Sequence, residues 1–236
     1  MDGTVVLVTG GERGVGLGIT RAFQRAGATV VTCARHPPER PVAEFETCDV
    51  REPDQVDRLL RTIIERHGRL DTVINNAGGS PFANAVDGSP RFHEKVVGLN
   101  LLAPLLVSQC ANEIMQRQAN GGSIVMVSSV SATRPSPGTA AYGAAKAGLD
   151  NLAATLAVEW APKVRVNALD VGLVRTERTD HFGDEAAATV PLGRLAEPAE
   201  IGACAVFLAS PMASYVSGAR LLVHGGGEVP AFLKLG

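Results

Sequence analysis

Tyr142 and Lys146 stand four residues apart in the run Tyr-Gly-Ala-Ala-Lys, a spacing that sets both side chains on one face of a helix. A phenol ordinarily loses its proton near pH ~10, too high for acid–base work at neutrality. An ammonium one turn away favours the phenolate and lowers that value, so the pair is a candidate proton donor and acceptor. The same spacing is common on solvated helix faces, and its meaning depends on what surrounds it. Upstream, Thr9-Gly10-Gly11-Glu12-Arg13-Gly14-Val15-Gly16 joins an apolar run to a helical pattern. Glycines there permit a tight turn and close approach of a phosphate, and the helix start that follows offers N–H groups and a partial positive charge. The spacing is G-x-x-x-G-x-G rather than G-x-G-x-x-G, and a purely structural turn is the competing explanation.

The pattern of apolar runs says what must position these residues. Segments 4–9, 28–34, 42–47, 72–75, 123–127, 165–169 and 220–223 read as strands. Segments 15–26, 53–67, 92–117, 142–160 and 198–208 read as helices, the third interrupted or bent near Pro104. This alternation predicts an α/β fold: a Rossmann-type, doubly wound parallel sheet of about seven strands with helices on both faces. Residues 35–41 contain Pro37, Pro38 and Pro41, so that crossover is expected to be a bare loop. A length of 236 residues without repeat, low-complexity tract or linker suits a single domain over 1–236.

Composition narrows the function. A net charge of −2 and 4% aromatic residues give no basis for nucleic-acid binding, and 45% hydrophobic residues support a large core. No apolar run reaches the ~18 residues of a membrane span, and no leader-like segment precedes the first strand. Cys33, Cys48, Cys110 and Cys204 form no CxxC and have no metal-ligand spacing, as expected of reduced thiols in a cytoplasmic protein.

Taken together, the glycine-rich turn, Asn75-Asn76-Ala77-Gly78 and Tyr142-x-x-x-Lys146 resemble the short-chain dehydrogenase/reductase family, over residues 4–226. The resemblance implies a catalytic tetrad of Asn100, Ser129, Tyr142 and Lys146, with Ser128 and Ser131 as rivals of Ser129. It implies interconversion of a secondary alcohol and a ketone by hydride transfer. Tyr142 would exchange the proton, Ser129 would hold the oxygen, and Lys146 would lower the tyrosine and bond the nicotinamide ribose. Asn100 would hold a water between Lys146 and solvent, or simply satisfy a helix kink. Cofactor contacts carried over are Gly10, Arg13, Gly14, Val15, Gly16, Arg35, Asp49, Val50, Asn76, Ala77, Gly78, Val174 and Thr176, with Tyr142 and Lys146. Members that choose NAD(H) usually carry an acid at the end of the second strand; here stand Ala34 and Arg35, with Arg13 in the turn, which favours NADP(H) over NAD(H). Glu12 and Glu39 are the groups that would blunt that charge.

The chain also departs from the family pattern. Val171 replaces a proline, which is expected to loosen the following loop, and His224 stands where an aspartate is usual. Segment 176–191 matches the substrate lid and contains Glu177, Arg178, Thr179, Asp180, His181 and Phe182. Pro81, Phe82, Ser131, Arg134 and Pro135 are expected at the pocket rim, Arg134 as a possible partner for an anionic group. The partners implied are a small carbonyl or alcohol and a second copy of the chain in a dimer or tetramer, without nucleic acid or membrane. Similarity runs to 3-oxoacyl-thioester reductases and hydroxysteroid dehydrogenases. The alternatives are a catalytically silent nucleotide-sensing protein, or a lyase or epimerase of the same family.

Overall fold

The computed structural model describes residues 1–229 apart from 178 and 180–182. Its strands are β1 (Val5–Thr9), β2 (Thr29–Ala34), β3 (Glu44–Thr47), β4 (Thr72–Asn75), β5 (Gly122–Ser129), β6 (Val164–Val171) and β7 (Arg220–Val223). They form one seven-stranded sheet in the order β3-β2-β1-β4-β5-β6-β7, every neighbouring pair parallel. The helices are α1 (Gly14–Arg25), α2 (Pro53–His67), α3 (Pro90–Val97), α4 (Ala103–Arg117), α5 (Ala140–Glu159), α6 (Gly183–Ala187) and α7 (Pro198–Ala209).

The near-continuous apolar character of β1 follows from burial on both faces. Side chains alternate, so Val5 and Leu7 enter one core with Leu59 and Ile63 of α2, Val107 of α4 and Leu149 of α5. Val6 and Val8 enter the other, with Ile19 and Phe23 of α1 and Ile201 and Leu208 of α7. Each such side chain contributes about 1.5–3 kcal/mol. Helices α1 and α7 meet through glycine: a Cβ on Gly18 would lie 2.3 Å from the Pro198 carbonyl oxygen, and one on Gly202 would lie 2.6 Å from that of Gly18. That contact fixes where the N-terminus of α1 points.

The sequence reading and the structure differ at three places. The break in segment 92–117 is not at Pro104, which sits in the first turn of α4, where a missing N–H costs little. It is a π-helical turn, Gly98–Leu102, between α3 and α4. Strands β5 and β6 run on to Ser129 and Val171, each buried between two neighbours. Val171 itself belongs to the strand: it pairs with Ser129 and Val223, and Gly172 N donates to Val223 O at 3.0 Å. A residue with an N–H extends the strand where a proline would have ended it. Between β2 and β3 there is no helix, as the three prolines require, and Gln24 Nε2 pins the loop by donating to Val42 O at 2.7 Å.

Candidate active site

The strand order reverses between β1 and β4, where the loops leaving the carboxyl ends of both strands diverge and open a crevice. The two loops are stitched together. Asn76 Nδ2 donates to Thr9 O (2.9 Å) and Gly10 O (3.1 Å), while Asn76 N and Ala77 N donate to Thr9 Oγ1 at 3.0 and 2.9 Å. Gly10 and Gly14 take φ values of +66° and +52°, which a side chain would resist. A Cβ on Gly16 would lie 2.1 Å from Gly10 O and 2.5 Å from Asn76 Nδ2, so only glycine lets α1 start this close to the strand end. No side chain caps α1 and no acid stands in its first turn, so the N–H groups of Gly14, Val15 and Gly16 face the crevice with the helix dipole behind them. This cradle fits the diphosphate of a dinucleotide.

At the outer edge of the crevice, Arg13 and Arg35 are exposed beside the half-buried Ala34. Glu12 is turned away: its carboxylate accepts hydrogen bonds from Thr32 Oγ1 and from Val42 N. Asp49 is held by Arg51, with Nη2–Oδ2 at 2.5 Å and Nε–Oδ1 at 2.9 Å. That pairing, helped by the Arg51 N–H and the charge of Arg35, keeps the Asp49 carboxyl below its ordinary pKa. Val50, next to it, is buried. On the other side, Thr176 packs against the turn, its Cγ2 3.5 Å from where a Gly14 Cβ would be. Thr179 Oγ1 accepts from Thr176 N at 2.8 Å, so that N–H is already engaged. Arg175 N and Ala196 N make the local bridge at Val174, which leaves the Val174 N–H directed the other way.

The acid–base residues gather where β5 ends and α5 begins. Ser129 is the last residue of β5 and Tyr142 lies in the first turn of α5, their side chains neighbours, while Ser129 Oγ accepts from Ser131 N at 3.2 Å. The rival serines point elsewhere: Ser128 is buried and donates to Lys146 O at 3.3 Å, and Ser131 Oγ contacts Ser136 Oγ at 3.1 Å. Lys146 is buried, its Nζ 2.7 Å from Val127 O and 5.6 Å from the centre of the Tyr142 ring. Asn100, in the π-helical turn, donates from Nδ2 to Gly79 O and Val96 O, both at 2.9 Å, and accepts from Gly79 N at 2.9 Å. It satisfies the carbonyl that the π turn frees and ties that turn to the loop after β4. A Cβ on Gly78 would fall 2.7 Å from Asn100 Oδ1 and 3.5 Å from Lys146 Nζ, which shows how closely these groups converge.

The expected direction of the Tyr142 shift is corrected. Burial pushes the phenol above its ordinary value, opposed only by the Ser129 hydrogen bond. Lys146 aims its ammonium at the Val127 carbonyl, and its own burial lowers it from 10.5 to about 8, with Asp150 acting to raise it. Arg134, expected as an anion partner, is paired with Glu228 at 2.6 Å. It borders a cavity of ≈ 270 Å³ with Ser131, Ser136 and Gly143, and a smaller one of ≈ 120 Å³ with Val130, Gly172, His224 and Glu228. Phe82 packs on Gly138 at the same rim. Of the lid segment, Arg178, Asp180, His181 and Phe182 lie outside the described residues.

Sequence reasoning missed a buried charge cluster below Lys146, formed by Asp150 of α5, Asp170 of β6 and Arg220 of β7. Its signal was there: Asp170 is an acid among the inward-facing residues of a strand buried on both faces, and Asp150 interrupts an alanine- and leucine-rich helix.

A doubly wound parallel sheet with a phosphate cradle at its switch point defines a nucleotide-binding α/β enzyme. Comparison with known proteins narrows this. Residues 10–228 match the family described as enoyl-(acyl carrier protein) reductase. The chain is 33% identical over 241 residues to human dehydrogenase/reductase SDR family member 4, covering 94% of this chain and 86% of that protein. It is 33% identical to the 3-oxoacyl-(acyl-carrier-protein) reductase FabG of Thermotoga maritima, covering 96% and 98%. The ligand-free aldohexose dehydrogenase of Thermoplasma acidophilum superposes with a TM-score of 0.90 at 28% identity, over 94% of this chain and 93% of that one. The chain belongs to the short-chain dehydrogenase/reductase family, oxidoreductases acting on CH–OH and C=O groups with a nicotinamide cofactor. Among the described residues no helix is long and apolar enough to cross a membrane.

Proposed function

We propose that this protein is an NADP(H)-dependent oxidoreductase that interconverts a secondary alcohol and a ketone, with Tyr142 as the acid and base. The observation that carries the reading is the convergence of Ser129, Tyr142 and Lys146 where β5 ends and α5 begins, with the Lys146 ammonium 5.6 Å from the centre of the phenol ring. A bound nicotinamide supplies or takes the hydride at the substrate carbon. The rest of the work falls to the chain. Because burial holds Tyr142 protonated at neutral pH, it is a ready donor to the oxygen of a ketone as negative charge develops there. Ser129 donates a second hydrogen bond to that oxygen and fixes its place. Lys146 places a positive charge under the tyrosine, which steadies the phenolate left after transfer. Asn100 keeps the Gly79 loop and the π turn in register beside Lys146.

For cofactor choice, Arg13 and Arg35 would meet a 2′-phosphate, with Glu12 tied to Thr32 and Val42. Segment 176–191 would cover the substrate, within a single domain. Leu102 and Val158 on the α4–α5 side, and Met212, Tyr215 and Leu222 beside β7, are large exposed apolar side chains that suit a homo-oligomer, testable by light scattering.

The test is a panel of ketones, acyl thioesters and steroids followed by nicotinamide absorbance. Tyr142→Phe is expected to bind NADPH as the parent does and to lose at least ~10²-fold in kcat. A variant with undiminished turnover would remove the acid–base role. Wild-type kcat/KM is expected to be higher with NADPH than with NADH, and Arg35→Ala is expected to narrow the gap. A strong preference for NADH would overturn the arginine reading.

A further inference from the structure

Two carboxylates and one guanidinium lie in the protein interior directly behind Lys146. Asp170 is fully buried and Asp150 is 4% exposed, whereas the Arg220 side chain reaches in from edge strand β7 and is 41% exposed. Arg220 Nη2 donates to Asp170 Oδ2 at 2.6 Å, and its Nε lies 3.1 Å from Asp150 Oδ2. Asp170 Oδ1 and both carboxylate oxygens of Asp150 have no hydrogen-bond partner among the described residues, so Arg220 meets Asp150 as an ion pair only. Ser128, the residue before the end of β5, donates its hydroxyl to the Lys146 carbonyl at 3.3 Å. Asp150 follows Lys146 by four residues, so both lie on one face of α5, one turn apart.

Two buried carboxylates this close cannot both stay ionised without a cation between them. The arrangement is therefore a relay of charge from the edge of the sheet to the active site. We propose that Arg220 is a positioning residue that acts on Lys146 through Asp150: paired with both acids, it keeps a negative charge on Asp150 one helical turn from Lys146, and that charge favours the ammonium which the Val127 carbonyl holds beside Tyr142. The groups facing Lys146 are Tyr142 and Asp150 on its own helix, the Val127 carbonyl from β5, and Asp170 and Arg220 behind Asp150. Even with these neighbours in place, burial holds Lys146 down at about 8 and Asp150 up at about 6, so this site sits close to losing its charge. Without Arg220, Asp150 would take up a proton, and the lysine would lose its anionic neighbour.

The kinetic part of this inference rests on the function proposed above, but the charge relay does not, and the two can be tested apart. The chain has four lysines, Lys95, Lys146, Lys163 and Lys234, so protein labelled with ¹³C-lysine gives few Cε signals. The Lys146 signal is assigned by its loss in Lys146→Arg, and its pH midpoint is followed on the full chain. Arg220→Met and Asp150→Asn are each expected to lower that midpoint by about one pH unit or more. Arg220→Lys is expected to restore it, which a purely steric role for the guanidinium would not. Asp170→Asn relieves Asp150 of its like-charged neighbour and is expected to leave the midpoint at or above that of the parent. With a ketone that the parent accepts, the alkaline limb of kcat/KM should move by the same amount, a roughly tenfold loss above both midpoints. An unchanged midpoint in Asp150→Asn overturns the proposal, as does an equal fall in Arg220→Met and Asp170→Asn. If Arg220→Met does not fold, Arg220→Lys and Asp150→Asn decide alone. A midpoint that moves in a protein without turnover leaves the relay standing and removes the oxidoreductase reading.

Discussion

Replacing Gly16 by alanine tests whether the turn at the head of α1 is built to a tolerance that only glycine meets. The added Cβ would lie 2.1 Å from Gly10 O and 2.5 Å from Asn76 Nδ2, where ordinary contact begins at 3.4 Å. One neighbour is backbone and the other is a side-chain end fixed by hydrogen bonds. Gly10 is held by its N–H to Cys33 O at 2.8 Å, and Asn76 is committed to Thr9 O and Gly10 O. The helix start or the turn must therefore move by over an ångström, and the Asn76–Gly10 bond must open. Overpacking of this kind costs about 1–3 kcal/mol and the hydrogen bond about 1 more. For a chain of this size, ~2–4 °C per kcal/mol translates that into a fall in Tm of about 5–15 °C. NADPH affinity, read by fluorescence titration, is expected to fall by at least about tenfold, because the N–H groups no longer converge. Gly14→Ala is the control: its φ of +52° strains an alanine, but the nearest atom to its Cβ is Thr176 Cγ2 at 3.5 Å. It should cost only about 1–2 kcal/mol. If Gly16→Ala melts and binds NADPH like the parent, the tight-turn reasoning is wrong.

Two further outcomes follow from the site. Asn100→Ala removes three hydrogen bonds, to both backbone groups of Gly79 and to Val96 O, and leaves buried groups unpaired. It should lower stability by roughly 2–4 kcal/mol in urea denaturation, and a loss under 0.5 would mean that the π turn does not need it. Lys146 has a folded value of about 8 against an ordinary 10.5, so the unfolded chain binds its proton more tightly. Its burial therefore costs stability below about pH 8, and the cost fades as pH rises toward 10.5. The stability of Lys146→Met relative to the parent should accordingly decline between pH 7 and pH 10.5, by up to about 3 kcal/mol. A difference that is flat with pH would place the lysine charge in solvent, against its burial.

Much of the scaffold was legible because its signals are local. Apolar runs such as Val5–Val8 must be buried on both faces, and three prolines forbid a helix after Arg35. The glycine turn and the Tyr142–Lys146 spacing carried the family, since backbone clearance and helical phase are written in residue order. Where the sequence reading went astray, a distant group was responsible. Pro104 looked like the breaker, but Asn100 bonding to Gly79 stabilises a π turn four residues earlier. Spacing suggested that Lys146 lowers Tyr142, but the ammonium is bonded to the Val127 carbonyl rather than to the phenol, and burial raises the phenol instead.

The order of residues by itself set the strands, the helices and the chemical types available at the strand ends. Only the tertiary structure showed how the rival serines are engaged, Ser128 with the Lys146 carbonyl and Ser131 with Ser136. It alone brought Asp150, Asp170 and Arg220 together from α5, β6 and β7. Hydrogen bonds and burial between residues far apart in sequence fix both outcomes, and an ionisable group's charge depends on just those neighbours.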